Sequence, residues 1–195
     1  FDFRERIRVN GKKITEAEVI SFCTKIKALK LDFEPSFFEI TFVLSLVHFQ
    51  TNNCSICVIE TGLGGRLDAT NCILPKISII TNIGMDHMKF LGDTLKEIAI
   101  EKAGIIKKNR PVVIGKTQNE IKEIFVEKAI EKNSQITFAD ETNFSKIVLF
   151  PSYQKENLRT ALKTLELLSY SISQKIIQKS IDNLQKNTGL FARMT

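Results

Sequence analysis

Glu60 closes an apolar run, SICVIE (55–60), and three glycines, an arginine and an aspartate follow in TGLGGRLD (61–68). A carboxylate at the end of a strand suits a hard divalent cation. Magnesium commonly takes one or two carboxylates and completes its shell with phosphate oxygens and water. A solvated strand-end carboxylate is the plainer reading of the same residue. Gly62, Gly64 and Gly65 permit positive φ and close backbone approach. Arg66 offers a planar fork for an anion. Asp68 can accept from an amino-heterocycle or orient Arg66, and Asn71 can cap the segment that follows. The stretch is neither a phosphate-binding GxxxxGK[ST] loop nor a GxGxxG turn.

Two further places carry reactive side chains. TNIGMDH (81–87) sets Asp86 and His87 just beyond a second apolar run. A lone histidine is more often a surface or core residue than a ligand, and imidazole is an unusual partner for magnesium. Placement on the same rim as Glu60 favours the ligand role. In EIAIEKAGIIKK (97–108), Lys102 stands among Ile98, Ala99, Ala103, Ile105 and Ile106. It reads either as a lysine whose stem covers apolar surface or as a partly buried amine with a depressed pKa. A neutral amine can add carbon dioxide to give a carbamate, and local sequence does not choose between these. His48, inside an apolar helical pattern, reads as structural. Cys54 and Cys57 form one CxxC with neither a second pair nor a histidine cluster, short of the four ligands of a structural zinc site. With Cys23 and Cys72 they read as free thiols.

These side chains need a frame. Thr15 with Glu18, and Ser36 with Glu39, spell capping boxes that open two helices; Glu39 is thus either a cap partner or a substrate contact. Val19, Phe22, Cys23 and Ile26 give the first helix its apolar face, and Phe38, Phe42, Leu46 and Phe49 the second. Asn10-Gly11 marks a turn. Short apolar strands are expected at 55–60, 77–83, 111–115 and 135–140. Helices are expected from Asp93-Thr94 to about Gly104, at 119–132, and at about 155–169 and 173–186. Strands apolar throughout and alternating with helices indicate an α/β fold, a mainly parallel sheet covered on both faces. Ligands of such sheets lie beyond the carboxyl ends of the strands, so the loops after Glu60 and before His87 should open on one rim.

The 195 residues carry a formal charge of +6. That balance suits a lysine-rich surface or attraction to anionic ligands such as nucleotides. The basic residues are dispersed and not interleaved with aromatics, so a nucleic-acid partner is not expected. No apolar run approaches the ~18 residues of a membrane span, and residues 1–9, FDFRERIRV, are no signal peptide.

Several segments together resemble the folylpolyglutamate synthase/dihydrofolate synthase family of the Mur ligase group. They are VIETGLGGRLDATN (58–71), ITNIGMDHMKFLGDTLKEIAIEKAGIIKK (80–108) and PVVIG (111–115), flanked by FDFRERIRVNGKKI, SFFEIT (36–41) and YQKENLRTAL (153–162). The match runs over nearly the whole chain, and LDATN and SFFE favour the folate branch over other Mur-type amide ligases. A non-catalytic binding domain is the alternative of a different class. Intact Glu60, His87 and Lys102 speak against it.

The resemblance implies an ATP-dependent ligase that adds L-glutamate to dihydropteroate or a folylpolyglutamate through an acyl phosphate, with magnesium. Glu60 and His87 match metal ligands, and Lys102 matches a carbamylated lysine beside the metal. Ser36, Phe37, Phe38 and Glu39, with Leu67, Asp68 and Ala69, match pterin contacts, and the glycines would let backbone and pterin sit close. Asn157 matches an ATP contact. Arg193 does so more weakly, because Phe191 and Ala192 replace the family's Pro-Gly, and Pro151 stands where glycine is common. The family's phosphate loop and a metal-binding serine would precede Phe1, and its glutamate-binding domain would follow Thr195. The expected organisation is therefore a fragment: a central ATP-binding domain over 1–187 and a linker over 188–195, inactive alone. A cytoplasmic location, small-molecule substrates (ATP, L-glutamate, dihydropteroate or reduced folates) and a monomeric full-length enzyme are the accompanying expectations.

Overall fold

The structure, a computed structural model, describes residues 2–141 and 152–188. These residues divide into two compact units, 2–60 with 180–188, and 61–179.

The first unit opens on a hairpin. Strands β1 (Arg8–Val9) and β2 (Lys12–Lys13) pair antiparallel, Arg8 opposite Lys13 and Val9 opposite Lys12. Asn10 and Gly11 both have positive φ (50° and 79°), the two-residue turn whose twist matches a hairpin. Helices α1 (Glu16–Ala28) and α2 (Phe37–Thr51) follow, and both expected capping boxes are complete. Ile7, Ile14, Phe22 and Leu44 form the core, with Val19, Ile26, Ile40 and Phe49 packed against it. On α2 the buried positions are Thr41, Phe42, Leu44 and His48, whereas Leu46 is exposed. Of the expected apolar face, Phe42 is buried, Phe38 and Phe49 are half-buried and only Leu46 turns outward, on a helix apolar almost all round. His48 is structural, as expected: it is buried, and its Nδ1 lies 3.1 Å from Glu18 Oε1 on α1.

Residues 55–60 were expected as a strand and are not one. They carry neither helix nor strand and have no ladder partner among the described residues, and Ile56 and Val58 are 61% and 86% exposed. A strand is defined by its neighbour's hydrogen bonds, and an apolar run without that neighbour is not one. Glu60 thus ends an irregular apolar run rather than a strand.

The second unit holds the parallel sheet in the order β3-β4-β5, formed by β3 (Ser78–Ile80), β4 (Val112–Ile114) and β5 (Ile136–Phe138). Ser78 faces Val112 and Val112 faces Ile136, so the strands are aligned at their starts. Between them run α3 (Met88–Leu91), α4 (Leu95–Ala103) and α5 (Lys122–Glu131), and α6 (Ser152–Leu167) and the start of α7 (Gln174–Asp182) follow; the end of α7 and the short α8 (Leu184–Thr188) are counted with the first unit. All three β4 residues are buried. Val112 and Ile114 join the cluster with Ile98, Ile121 and Phe125 from the α4–α5 side. Val113 points to the opposite face by the alternation of a strand, and α6 packs against β4. The covered, mainly parallel α/β sheet is as expected, and α4, α5 and α6 fall close to their expected ranges. Thr94 and Glu97 complete a third capping box at the start of α4.

Candidate functional site

In the second unit the loop 61–72 lies against the C-terminal end of α4, and its glycines explain how. The backbone N–H of Arg66 donates to the Glu101 carbonyl at 2.8 Å. A Cβ on Gly65 would come within 2.8 Å of that carbonyl and 3.0 Å of the Lys102 carbonyl. A Cβ on Gly104 would run into the backbone of Arg66. Loop and helix touch through main chain, which only missing side chains permit. The close approach read from TGLGGRLD is real, and its observed partner is α4.

Asp68 organises this loop. One carboxylate oxygen accepts the N–H groups of Gly62 and Leu63, each at 2.9 Å. The other accepts the N–H and hydroxyl of Thr70 at 2.9 and 2.6 Å. Those four bonds match the lone-pair capacity of a carboxylate. Arg66 is not oriented by Asp68: its Nε and Nη2 both donate to Glu101 Oε1, at 3.1 and 2.9 Å. Asn71 does not cap forward. Its amide donates back to the carbonyls of Arg66 and Gly104 at 3.0 and 3.2 Å. Leu67 is 79% exposed beside this network, and Ala69 is half-buried.

His87 stands seven residues beyond the last residue of β3. Its backbone is left-handed, φ 54° and ψ 34°, and it precedes α3 without capping it through the side chain. That conformation is uncommon for a residue with a Cβ and accumulates at functional positions. The imidazole is exposed, and its one ionic neighbour among the described residues is the adjacent Asp86 carboxylate at 3.9 Å. Lys102 lies half-buried in the last turn of α4, and its amine makes no hydrogen bond or ion pair among the described residues. Asn157 is exposed on α6. Arg193 lies outside the described residues.

In the first unit, Glu60 is exposed and its carboxylate has no partner among the described residues. Ser36 and Glu39 cap α2 mutually: the Glu39 N–H donates to Ser36 Oγ at 3.2 Å, and the Ser36 N–H to Glu39 Oε2 at 2.7 Å. The Ser36 hydrogen bonds hold the Glu39 carboxyl below its ordinary range. Phe38 is half-buried. Phe37 is 66% exposed, its ring edge-on to Phe3 at 5.7 Å. All four cysteines are free; Cys57 is exposed at the surface, and partial desolvation of its sulfur, followed by nearby Cys54, pushes the thiol up.

The Glu60 carboxylate in the first unit and the His87 imidazole in the second are each exposed and without a strong competing partner among the described residues. Among the described residues no group of three or more His, Cys, Asp or Glu side chains gathers. Such a sparse set does not fit a protein-caged ion. A single carboxylate suits magnesium completed by phosphate and water, whereas an imidazole is an unusual addition to that shell.

The sequence reading missed a second set of rim contacts. The Asp140 carboxylate, just past β5, accepts the Thr117 N–H and hydroxyl, both at 2.8 Å. Next to Thr117, the Gln118 carboxamide takes both backbone groups of Ile83: N–H to Oε1 at 2.8 Å and Nε2 to C=O at 3.0 Å. The only trace in sequence is a pair of polar residues, TQ, shortly after PVVIG, a spacing with no local pattern.

An open parallel sheet with His87 on the loop after β3, and Thr117 and Asp140 just past β4 and β5, has the architecture of a nucleotide-type α/β domain. Residues 16–187 match the Mur ligase middle domain, and the chain belongs to that family. It is 37% identical to the dihydrofolate synthase/folylpolyglutamate synthase of Buchnera aphidicola subsp. Acyrthosiphon pisum over 94% of this chain and 48% of that protein. It is 33% identical to the Bacillus subtilis protein of the same name, over 86% and 46%. The crystal structure of Thermotoga maritima folylpolyglutamate synthase superposes with a TM-score of 0.80 at 33% identity, over 93% of this chain and 48% of that one. The Escherichia coli protein in complex with DHPP and ADP superposes with a TM-score of 0.80 at 26% identity, over 92% and 47%. The chain thus spans about half the length of these relatives. Among the described residues no helix is long and apolar enough to cross a membrane.

Proposed function

We propose that this chain is the central part of an ATP-dependent ligase that joins L-glutamate to the carboxylate of dihydropteroate or of a folylpolyglutamate. The observation that carries the reading is the family match over 16–187, together with an open rim that bears an exposed, left-handed His87. Relatives named for both folate activities support the substrate class.

A carboxylate resists amines because its carbonyl is poorly electrophilic and its oxygen leaves badly. Phosphoryl transfer from ATP converts it to an acyl phosphate. The glutamate amine then attacks the carbonyl carbon, loses a proton, and inorganic phosphate departs. Catalysis of such a transfer is mostly positioning and charge neutralisation. Glu60 and His87 would hold the magnesium, which supplies neutralisation of the phosphoryl oxygens. Lys102 lies at the α4 end that the 61–72 loop covers. As a carbamate it would add an anionic oxygen pair. Asn157 on α6 is assigned to ATP, and so is Arg193. Ser36 to Glu39 and Leu67 to Ala69 are assigned to the pterin. Asp68 would serve through its grip on the loop, presenting the exposed Leu67, because its own oxygens are already bonded.

The test is to incubate the full-length protein with ATP, L-glutamate and either dihydropteroate or a reduced folate. ADP release matched by a glutamylated product supports the reading. ATP-independent behaviour, or product with neither acceptor, refutes it.

A further inference from the structure

The last main-chain ladder bond of β3 runs from the Gly115 N–H to the Ile80 carbonyl, 2.7 Å. Beyond it the two chains part, and 81–87 would hang from the sheet unsupported. Ile83 prevents this in two ways. Its side chain is buried in the sheet's core cluster. Its backbone N–H and C=O are both taken by the Gln118 carboxamide, at 2.8 and 3.0 Å. A carboxamide offers one donor and one acceptor side by side, as a neighbouring strand's peptide would.

Gln118 is itself fixed. Asp140 holds the preceding Thr117 through its N–H and hydroxyl, and the Gln118 carbonyl accepts the Ile121 N–H at 3.0 Å, closing the turn into α5. A relay therefore crosses the rim from the end of β5, through the segment after β4, to the loop after β3. Past Ile83 the chain is open: Gly84, Met85, Asp86 and His87 are all exposed, and nothing lies within 4 Å of a Cβ built on Gly84. Ile83 is the last anchored residue before His87. The next one after it is Leu91.

From this geometry we propose that Gln118 is a positioning residue for the reaction, acting through the Ile83 backbone to set where His87 presents its imidazole. The proposal rests on the reading of His87 as a metal ligand. Outer contacts that orient ligands commonly change metal affinity by about 10–100-fold when removed.

The test uses the full-length protein and the variants Gln118→Met, which keeps the shape and loses both hydrogen bonds, Gln118→Glu, which keeps only the acceptor, and His87→Ala. Two quantities are read. One is magnesium affinity, titrated directly in the presence of ADP. The other is hydrogen exchange of the Ile83 amide in metal-free protein. The expected result is faster Ile83 exchange in Gln118→Met, affinity weakened about tenfold, and recovery of near-normal kcat at saturating magnesium. A purely structural role would lower the melting temperature and leave the affinity of the folded fraction unchanged, and that outcome overturns the proposal. If Gln118→Met does not fold, Gln118→Glu decides on the same two readouts. Unchanged affinity in His87→Ala removes the metal reading and the proposal with it. Weakened affinity in His87→Ala beside unchanged affinity in the Gln118 variant removes the proposal alone.

Discussion

Arg66 and Glu101 are joined twice, once by main chain (N–H to C=O, 2.8 Å) and once by side chain (guanidinium to carboxylate, 2.9 Å). The double link clamps the glycine-rich loop to the end of the helix that carries Lys102. The main-chain bond is the stronger constraint, because the guanidinium is about half exposed and such pairs contribute little in water.

The backbone approach that makes this clamp possible should be intolerant of a methyl group. Gly104→Ala and Gly65→Ala are each expected to lower stability by about 1–3 kcal/mol, the usual cost of forcing volume into a packed contact. Arg66→Ala should cost less than either. Thermal or denaturant unfolding of the three variants ranks them, and a Gly104→Ala protein as stable as the parent would contradict the close contact.

Asp68 gathers four donors from one loop. Asp68→Ala should leave the N–H groups of Gly62 and Leu63 without their acceptor, at about 1–3 kcal/mol, and should expose residues 61–72 to proteolysis. If Asp68 met the pterin directly instead, Asp68→Ala would raise the folate KM with the loop's protease resistance intact.

Much of this architecture was legible beforehand. The capping boxes of Thr15 with Glu18 and Ser36 with Glu39 are local, three residues apart, and both formed. ISII, PVVIG and QITF were legible because strands of a parallel sheet are mostly apolar, although only β4 is buried at every position and Ile79 of β3 is exposed. SICVIE has the same composition and is no strand, because composition does not show whether a neighbour is in place. The fates of Arg66 and Gln118 were illegible for a related reason. Their partners, Glu101 and Ile83, each lie 35 residues away, and no short window contains both ends of such a bond. The glycines were read correctly as markers of close approach, but the partner they admit is a helix end that the sequence does not name.

Stability should fall in acid. Thr15 holds Glu18, and Ser36 holds Glu39, below the ordinary carboxyl range, and Lys128 followed by Lys132 holds Glu131 at about 2. A depressed folded-state pKa gives stability that is full above the unfolded value and lost as pH falls through the folded one. Melting temperature should therefore be level near neutrality and decline from about pH 4.5 downward. Glu39→Gln should flatten part of that decline, and an unaltered profile would show that the cap contributes nothing through its charge.

Lys102 has an amine without a partner among the described residues, in a half-buried setting. If it is carbamylated in the full-length enzyme, Lys102→Ala should lose most ligase activity, and removal of dissolved carbon dioxide should slow the parent but not the variant. Full activity in Lys102→Ala, with an unmodified lysine by mass spectrometry, discards the carbamate.

Glu60 and His87 are proposed to bind one ion together. The most direct measurement is a double-mutant cycle of manganese or magnesium affinity in the full-length protein, with Glu60→Ala, His87→Ala and the pair. Two ligands of one ion should not act independently: each single variant should weaken binding, and the double variant should be little weaker than the worse single. Parent-like affinity in either single variant, or two losses that simply add, would contradict a shared ion.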